Sequence, residues 1–156
     1  MELPNIQDIL NWKIKSFRSQ DYASTLFFIY TYMKENAFII PEYQRWYVWD
    51  MEQQKNLIRS LFFWITIPPL ILNIDENNWN WIVIDWQQRL TTIIRFFNNE
   101  LEVDWIRFSD LTDVQRRFFL SKKLSYLETK FNTIEEEKFY YKLFNTAWTS
   151  HQLSDF

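Results

Sequence analysis

The sequence predicts one α+β domain of short strands with interspersed helices. Three observations predict it. Two windows, 51–63 and 87–98, carry apolar stripes at helical spacing. Three shorter runs, 70–74, 79–85 and 123–129, have the length and the β-branched or alternating composition of strands. Between them lie caps and turns, but no linker, repeat or low-complexity tract. The 156 residues, 47% hydrophobic and 24% charged, therefore read as one domain with a sizeable core.

Taken in order, residues 5–20 read as a short helix and a polar connection. In 21–35, DYASTLFFIYTYMKE, apolar residues nearly fill the window, which suits a buried helix or a buried strand. Its length favours helix, giving a helical segment over 1–35 ahead of the main domain at 36–156. IIPEYQRWYVWD is extended, by its Ile-Pro step and alternating aromatics. Asp50 caps a helix from Met51 to about Phe63, with Leu57, Ile58, Leu61, Phe62 and Ile65 supplying one apolar stripe. Pro68-Pro69 stops that stretch and launches the strand LILNI. A polar turn at 75–78 joins it to WNWIVID, making a hairpin. In the next helix Leu90, Ile93, Ile94 and Phe97 fall at i, i+3, i+4 and i+7. A small hairpin turns around Asp104-Trp105. Thr112-x-x-Gln115 and Thr133-x-x-Glu136 are capping boxes that open helices to about Leu120 and Phe144, on either side of the strand KLSYLET.

Composition narrows the chemistry. The absence of cysteine excludes disulfides, thiolate metal sites and cysteine nucleophiles. A single histidine, His151, excludes from this chain any centre that needs two. The net charge of −3 argues against bulk electrostatic attraction to nucleic acid, though not against a local basic groove. The longest apolar run, Leu61 to Leu72, is broken by Thr66, Pro68 and Pro69 and is too short to span a bilayer. The N-terminal MELPNIQDIL has no signal-peptide pattern, so a cytoplasmic location is expected.

Three stretches are candidates for function. VIDWQQRL, residues 83–90, runs strand, sharp turn, helix. A helix N-terminus presents free N–H groups and partial positive charge to an anion. Arg89 adds a bidentate phosphate donor, and Asp85 suits a metal ion or a ribose hydroxyl. The competing reading makes Asp85 a helix cap and Arg89 a solvated surface charge. In PEYQRWYVWD, Gln44 and Arg45 sit among aromatics, a setting for phosphate binding or base stacking, or simply an edge strand packing on the core. In LFNTAWTSHQL, a helix end running into a polar loop, His151 is a general base, a loop contact or neither.

These blocks, in the order PEYQRWYVWD, TIPPLIL, VIDWQQRLTTI, LFNTAWTSHQL, resemble the domain-of-unknown-function family 262, the GmrS-type domain of GmrSD modification-dependent restriction systems. The resemblance spans about residues 36–156. It implies a ParB/sulfiredoxin-like fold, and nucleotide binding with NTP hydrolysis in anti-phage defence against foreign DNA. The nuclease effector is then a separate or missing domain. The family's box Asp-Gly-Gln-Gln-Arg matches DWQQR here. By that match Asp85, Gln88 and Arg89 are the implied catalytic residues, with Asp85 the implied Mg²⁺ ligand. Gln44, Arg45, Trp86, Gln87, Thr91, Asn145 and His151 are the residues implied to bind the NTP. Two other readings are a non-catalytic ParB-like interaction module for nucleic acid or protein, and a degenerate fragment truncated at its C-terminus. The first draws on Arg107, Arg116, Arg117, Lys122 and Lys123, equally readable as a solvated helix face.

One departure from the family is systematic. The chain has no glycine and nine tryptophans, where average usage gives roughly 11 glycines in this length. Either the fold needs no positive φ angle, or the glycines were misread. Trp86 stands at the glycine of the hallmark box. Trp64 follows a helix where a C-terminal glycine fits. Trp105 follows Asp104, and Trp12 and Trp79 each follow an asparagine, in dipeptides where Asp-Gly and Asn-Gly are the favoured turns. UGA is read as tryptophan in some genetic codes and as glycine in others. The expectation is therefore that most tryptophans, those at 12, 46, 64, 79, 86, 105 and 148, are misread glycines.

Overall fold

The computed structural model describes residues 6–10, 19–44 and 47–148. Its elements in order are α1 (Ile6–Leu10), β1 (Ser19–Thr25), α2 (Leu26–Lys34), β2 (Phe38–Ile39), α3 (Met51–Phe62), β3 (Leu70–Asp75), β4 (Asn80–Asp85), α4 (Gln87–Phe97), α5 (Asp113–Leu120), β5 (Lys123–Thr129) and α6 (Ile134–Trp148). The five strands form one mixed sheet in the order β1-β5-β3-β4-β2. β1–β5 and β3–β4 are antiparallel, while β3–β5 and β2–β4 are parallel.

The helices at α3 and α4 follow from their sequences. The Asp50 side chain accepts from the Gln53 N–H, and Gln53 returns a bond to the Asp50 N–H, a reciprocal capping box. Leu57, Ile58 and Leu61 of α3 and Leu90, Ile93 and Phe96 of α4 are buried together in one core. Thr112 and Gln115 make the same box at α5, and the Thr133 hydroxyl accepts from the Glu136 N–H at α6.

Two expectations need correction. Residues 21–35 are not one helix: 19–25 form the edge strand β1, and helix begins only at Leu26. SQDYAST is polar and exposed over most of its length, so no apolar alternation marks it. Its pairing is dictated from far away, with Ser19 opposite Thr129. The second correction is at α6, which continues through Trp148, so Asn145 lies on a helix and not in a loop. Its amide donates back to the Tyr141 carbonyl at 2.8 Å, an i−4 bond that keeps the side chain within the helix.

Seven described residues have positive φ: Asn36, Trp64, Trp79, Trp86, Asn99, Asp104 and Trp105. The fold does need left-handed backbone. α2, α3 and α4 all end in the same hydrogen-bonded motif. Asn36, Trp64 and Asn99 donate to Met33, Leu61 and Phe96, while the next residues, Ala37, Ile65 and Glu100, donate to Tyr32, Ser60 and Arg95.

No helix among the described residues is long and apolar enough to cross a membrane. Fully buried Ile93 is expected to cost about 2–5 kcal/mol on truncation to alanine, and Asp50→Ala about 1 kcal/mol through loss of the cap. Chemical denaturation of the two variants checks this, and equal costs would contradict the assigned core.

Candidate functional site

The site grows from the junction of β4 and α4. Near the end of β4 the ladder slips: Leu72 faces Val83, but Ile71 faces Asp85, leaving Ile84 as the extra residue of a bulge. One residue, Trp86, then separates strand from helix. Its φ of 105° and ψ of 9° make the turn, and its side chain makes no cap bond. Asp85 is therefore the last strand residue rather than the helix cap, and Arg89 lies in the first turn of α4.

Two glutamine side chains hold the surrounding segments in place. Buried Gln44 donates through Nε2 to the Val83 carbonyl and, at 3.2 Å, to the Ile84 carbonyl, tying the 41–44 segment to the bulge. Buried Gln88 accepts through Oε1 from the N–H groups of Val48 and Trp49, at 2.8 and 3.1 Å. The Trp49 carbonyl in turn accepts from Gln54, whose oxygen accepts from Arg95 at 2.5 Å. The Tyr47 and Thr92 hydroxyls lie 2.8 Å apart, which anchors the same segment to α4. The Gln44 and Gln88 amides thus fasten Gln44 to the bulge and Val48 and Trp49 to the start of α4.

These elements enclose a cavity of about 560 Å³. Gln44, Asp85, Trp86, Gln87, Gln88, Arg89 and Asn145 all line it, so the structure brings together seven of the sequence-predicted positions. Thr91 does not line it. Arg45 and His151 lie outside the described residues. Tyr141 and Phe144 of α6 form the remaining wall with Pro68, Pro69, Ile71 and Leu127. Sequence reasoning missed this wall, although Tyr141, Phe144 and Asn145 share one helical face by their spacing.

The electrostatics of the cavity centre on Arg89. Its Nη1 is buried with no hydrogen-bond partner, and its guanidinium lies over the Trp86 ring at 5.0 Å. Burial lowers its pKa, and the Asp85 carboxylate opposes that shift. Asp85 also reaches Tyr140: burial raises the phenol's pKa, and the carboxylate adds to the rise. The Trp86 indole Nε1 is a second buried nitrogen without a partner. Among the described residues Asp85 is the only carboxylate in the lining, and no cluster of three or more His, Asp or Glu is placed to hold a metal.

A larger cavity, about 970 Å³, lies on the other side of the 41–44 segment and contains none of the predicted site residues. There Tyr43 donates to buried Glu137 at 2.5 Å. Burial first, then this bond, raises the phenol's pKa.

With this geometry established, comparison with known proteins becomes informative. The model of the family described as GmrSD restriction endonuclease, N-terminal domain, matches residues 29–156. The chain belongs to that family. The junction at 83–90, the bulge and both glutamine clamps all fall within the part that matches the GmrSD N-terminal domain. No curated protein matches the chain. A solved Pnob8-like ParB-N domain is similar over 91% of this chain and 42% of its own, at 15% identity and a TM-score of 0.48. The chain thus spans less than half the length of that solved protein.

Gln88→Ala is expected to strand the Val48 and Trp49 N–H groups and to destabilise the GmrSD N-terminal domain by about 1–3 kcal/mol. Hydrogen exchange at those two amides locates the effect. Unchanged protection there would show that Gln88 does not hold the segment.

Proposed function

We propose that the cavity at the β4–α4 junction binds the phosphates of a nucleotide. On this reading the domain is an NTP-hydrolysing module of a restriction system that acts on DNA. The observation that carries the proposal is the partnerless guanidinium nitrogen of Arg89, buried in the cavity beside a helix N-terminus. A buried donor without an acceptor is costly, and a phosphate oxygen satisfies it. The helix N-terminus adds free N–H groups of the same polarity. A volume of about 560 Å³ lies within the range of small-ligand sites, roughly 300–1,000 Å³.

The roles follow from placement. Arg89 and the start of α4 hold phosphate, and Gln87 and Asn145 line the site for the remainder of the ligand. Asp85 orients an attacking water or helps to hold Mg²⁺. A single carboxylate suits a Mg²⁺ ion that keeps several waters and is otherwise bound by phosphate oxygens, where it offsets charge developing on the transferred group. Gln44 and Gln88 act as positioning residues, because their amides bind the backbone that shapes the cavity. A nuclease centre that needs two histidines belongs to a separate effector domain, since this sequence carries one.

Nucleotide binding by calorimetry, together with phosphate release, tests the proposal. Arg89→Ala is expected to weaken binding at least about tenfold, and Asp85→Asn to lower turnover by roughly 10²-fold while binding persists. Equal binding by the parent and Arg89→Ala would refute the site. Salt-dependent binding of duplex DNA with no turnover would favour the non-catalytic interaction module.

A further inference from the structure

The left-handed residues divide into two groups. Asn36, Asn99 and Asp104 are of the types that tolerate this region, because their short polar side chains bond locally. The other four, at 64, 79, 86 and 105, are all tryptophan, with φ of 57°, 56°, 105° and 68°. A bulky residue is an outlier in this region, where glycine carries no steric cost.

The local motifs agree position by position. Trp64 fills the same slot after α3 that Asn36 and Asn99 fill after α2 and α4, the slot that glycine favours most. Asp104 and Trp105 form a two-residue turn with positive φ at both positions, closed by reciprocal Val103–Ile106 bonds of 2.9 Å. That turn prefers Asp-Gly. Trp79 ends the β3–β4 turn, with its N–H on the Asp75 carbonyl at 2.7 Å.

At 79 and 105 packing does not offset the strain, whereas Trp64 lies against the Phe118 ring with the Lys122 ammonium over its face. The Trp105 and Trp79 side chains are 90% and 69% exposed. Trp86 is buried, yet its indole N–H has no partner, unlike the usual buried tryptophan. Trp81 behaves differently. It lies in β4, outside the positive-φ group, and packs against Phe28, Tyr32 and Tyr126. Trp49 is likewise packed against the core, and both its backbone groups are bonded.

We infer that the chain as made in its own cell carries glycine at positions 64, 79, 86 and 105 and tryptophan at 49 and 81. At position 86 the inference extends the nucleotide reading and rests on it. The indole lies beneath the Arg89 guanidinium and occupies the wall of the cavity, so its removal lets an anion approach both Arg89 and the backbone at 86.

Peptide sequencing by mass spectrometry of the protein isolated from its source tests the assignment. The tryptic peptide 60–89 holds positions 64, 79, 81 and 86 together, so Trp81 serves as an internal control, and peptide 96–107 holds position 105. Glycine at 64, 79, 86 and 105 with tryptophan at 81 is expected; tryptophan at any of the first four overturns the inference. In the recombinant chain, Trp79→Gly and Trp105→Gly remove exposed side chains and leave no cavity. Each is expected to raise Tm by about 2–4 °C, while Trp81→Gly lowers it. A fall in Tm for Trp79→Gly and Trp105→Gly counts against the inference. ATP, CTP and GTP affinities of the parent and Trp86→Gly, each with and without Arg89→Ala, separate the two claims. A gain of tenfold or more that depends on Arg89 supports both. Glycine at 86 with no Arg89-dependent binding in either the parent or Trp86→Gly upholds the residue assignment and refutes the nucleotide reading.

Discussion

The architecture depends on a single backbone turn. β4 enters α4 through one residue, and that residue must be left-handed for the chain to reverse so tightly. Everything at the site follows from this geometry. The bulge just before it fixes where Asp85 leaves the sheet, and the helix just after it fixes where Arg89 stands. A longer connection would let these two groups drift apart, and the cavity would lose the pair that gives it polarity. The core secures the turn from behind, because Val83, Ile84 and Leu90 on either side of it are all buried.

The two glutamine clamps solve a related problem. The strand that leads into the 41–49 stretch, β2, is only two residues long, Phe38–Ile39, and residues 41–44 and 47–49 lie outside the sheet, so sheet pairing cannot hold them. Side-chain amides replace the missing ladder. Each primary amide offers both donors and an acceptor, and here they bond the Val83 and Ile84 carbonyls and the Val48 and Trp49 N–H groups. The labour is thus divided: the amides of Gln44 and Gln88 build the enclosure, and Arg89 is left to face its interior.

Much of this was legible in the sequence because it was local. Asp50, Thr112 and Thr133 announced their helices by side-chain bonds within three residues, and Leu90, Ile93 and Phe97 announced a buried face by spacing. The 83–90 segment read as strand, turn and helix, and the structure has that order. What escaped was non-local. β1 is polar and owes its conformation to β5, so its own residues carry no strand signal. The wall formed by Tyr141 and Phe144 was hidden because α6 was expected to end near Phe144, which placed Asn145 in a loop. Backbone handedness was half visible. Asp-Trp and Asn-Trp dipeptides marked the turns at 104–105 and 78–79, and the φ angles then set Trp64, Trp79, Trp86 and Trp105 apart from Trp81 by geometry.

The order of assembly has its own logic. β3, β4 and α4 are contiguous in the chain, so the turn that carries Asp85 and Arg89 is made from near neighbours and can form early during synthesis. The parallel partner of β3 is β5, which is made later, and the last wall of the cavity comes from α6, later still. A ribosome-bound chain that has emerged only as far as α4 holds the charged groups but not the enclosure around them. On the proposed nucleotide reading, ligand capture therefore waits for α6 to emerge, which couples binding competence to a late step of translation.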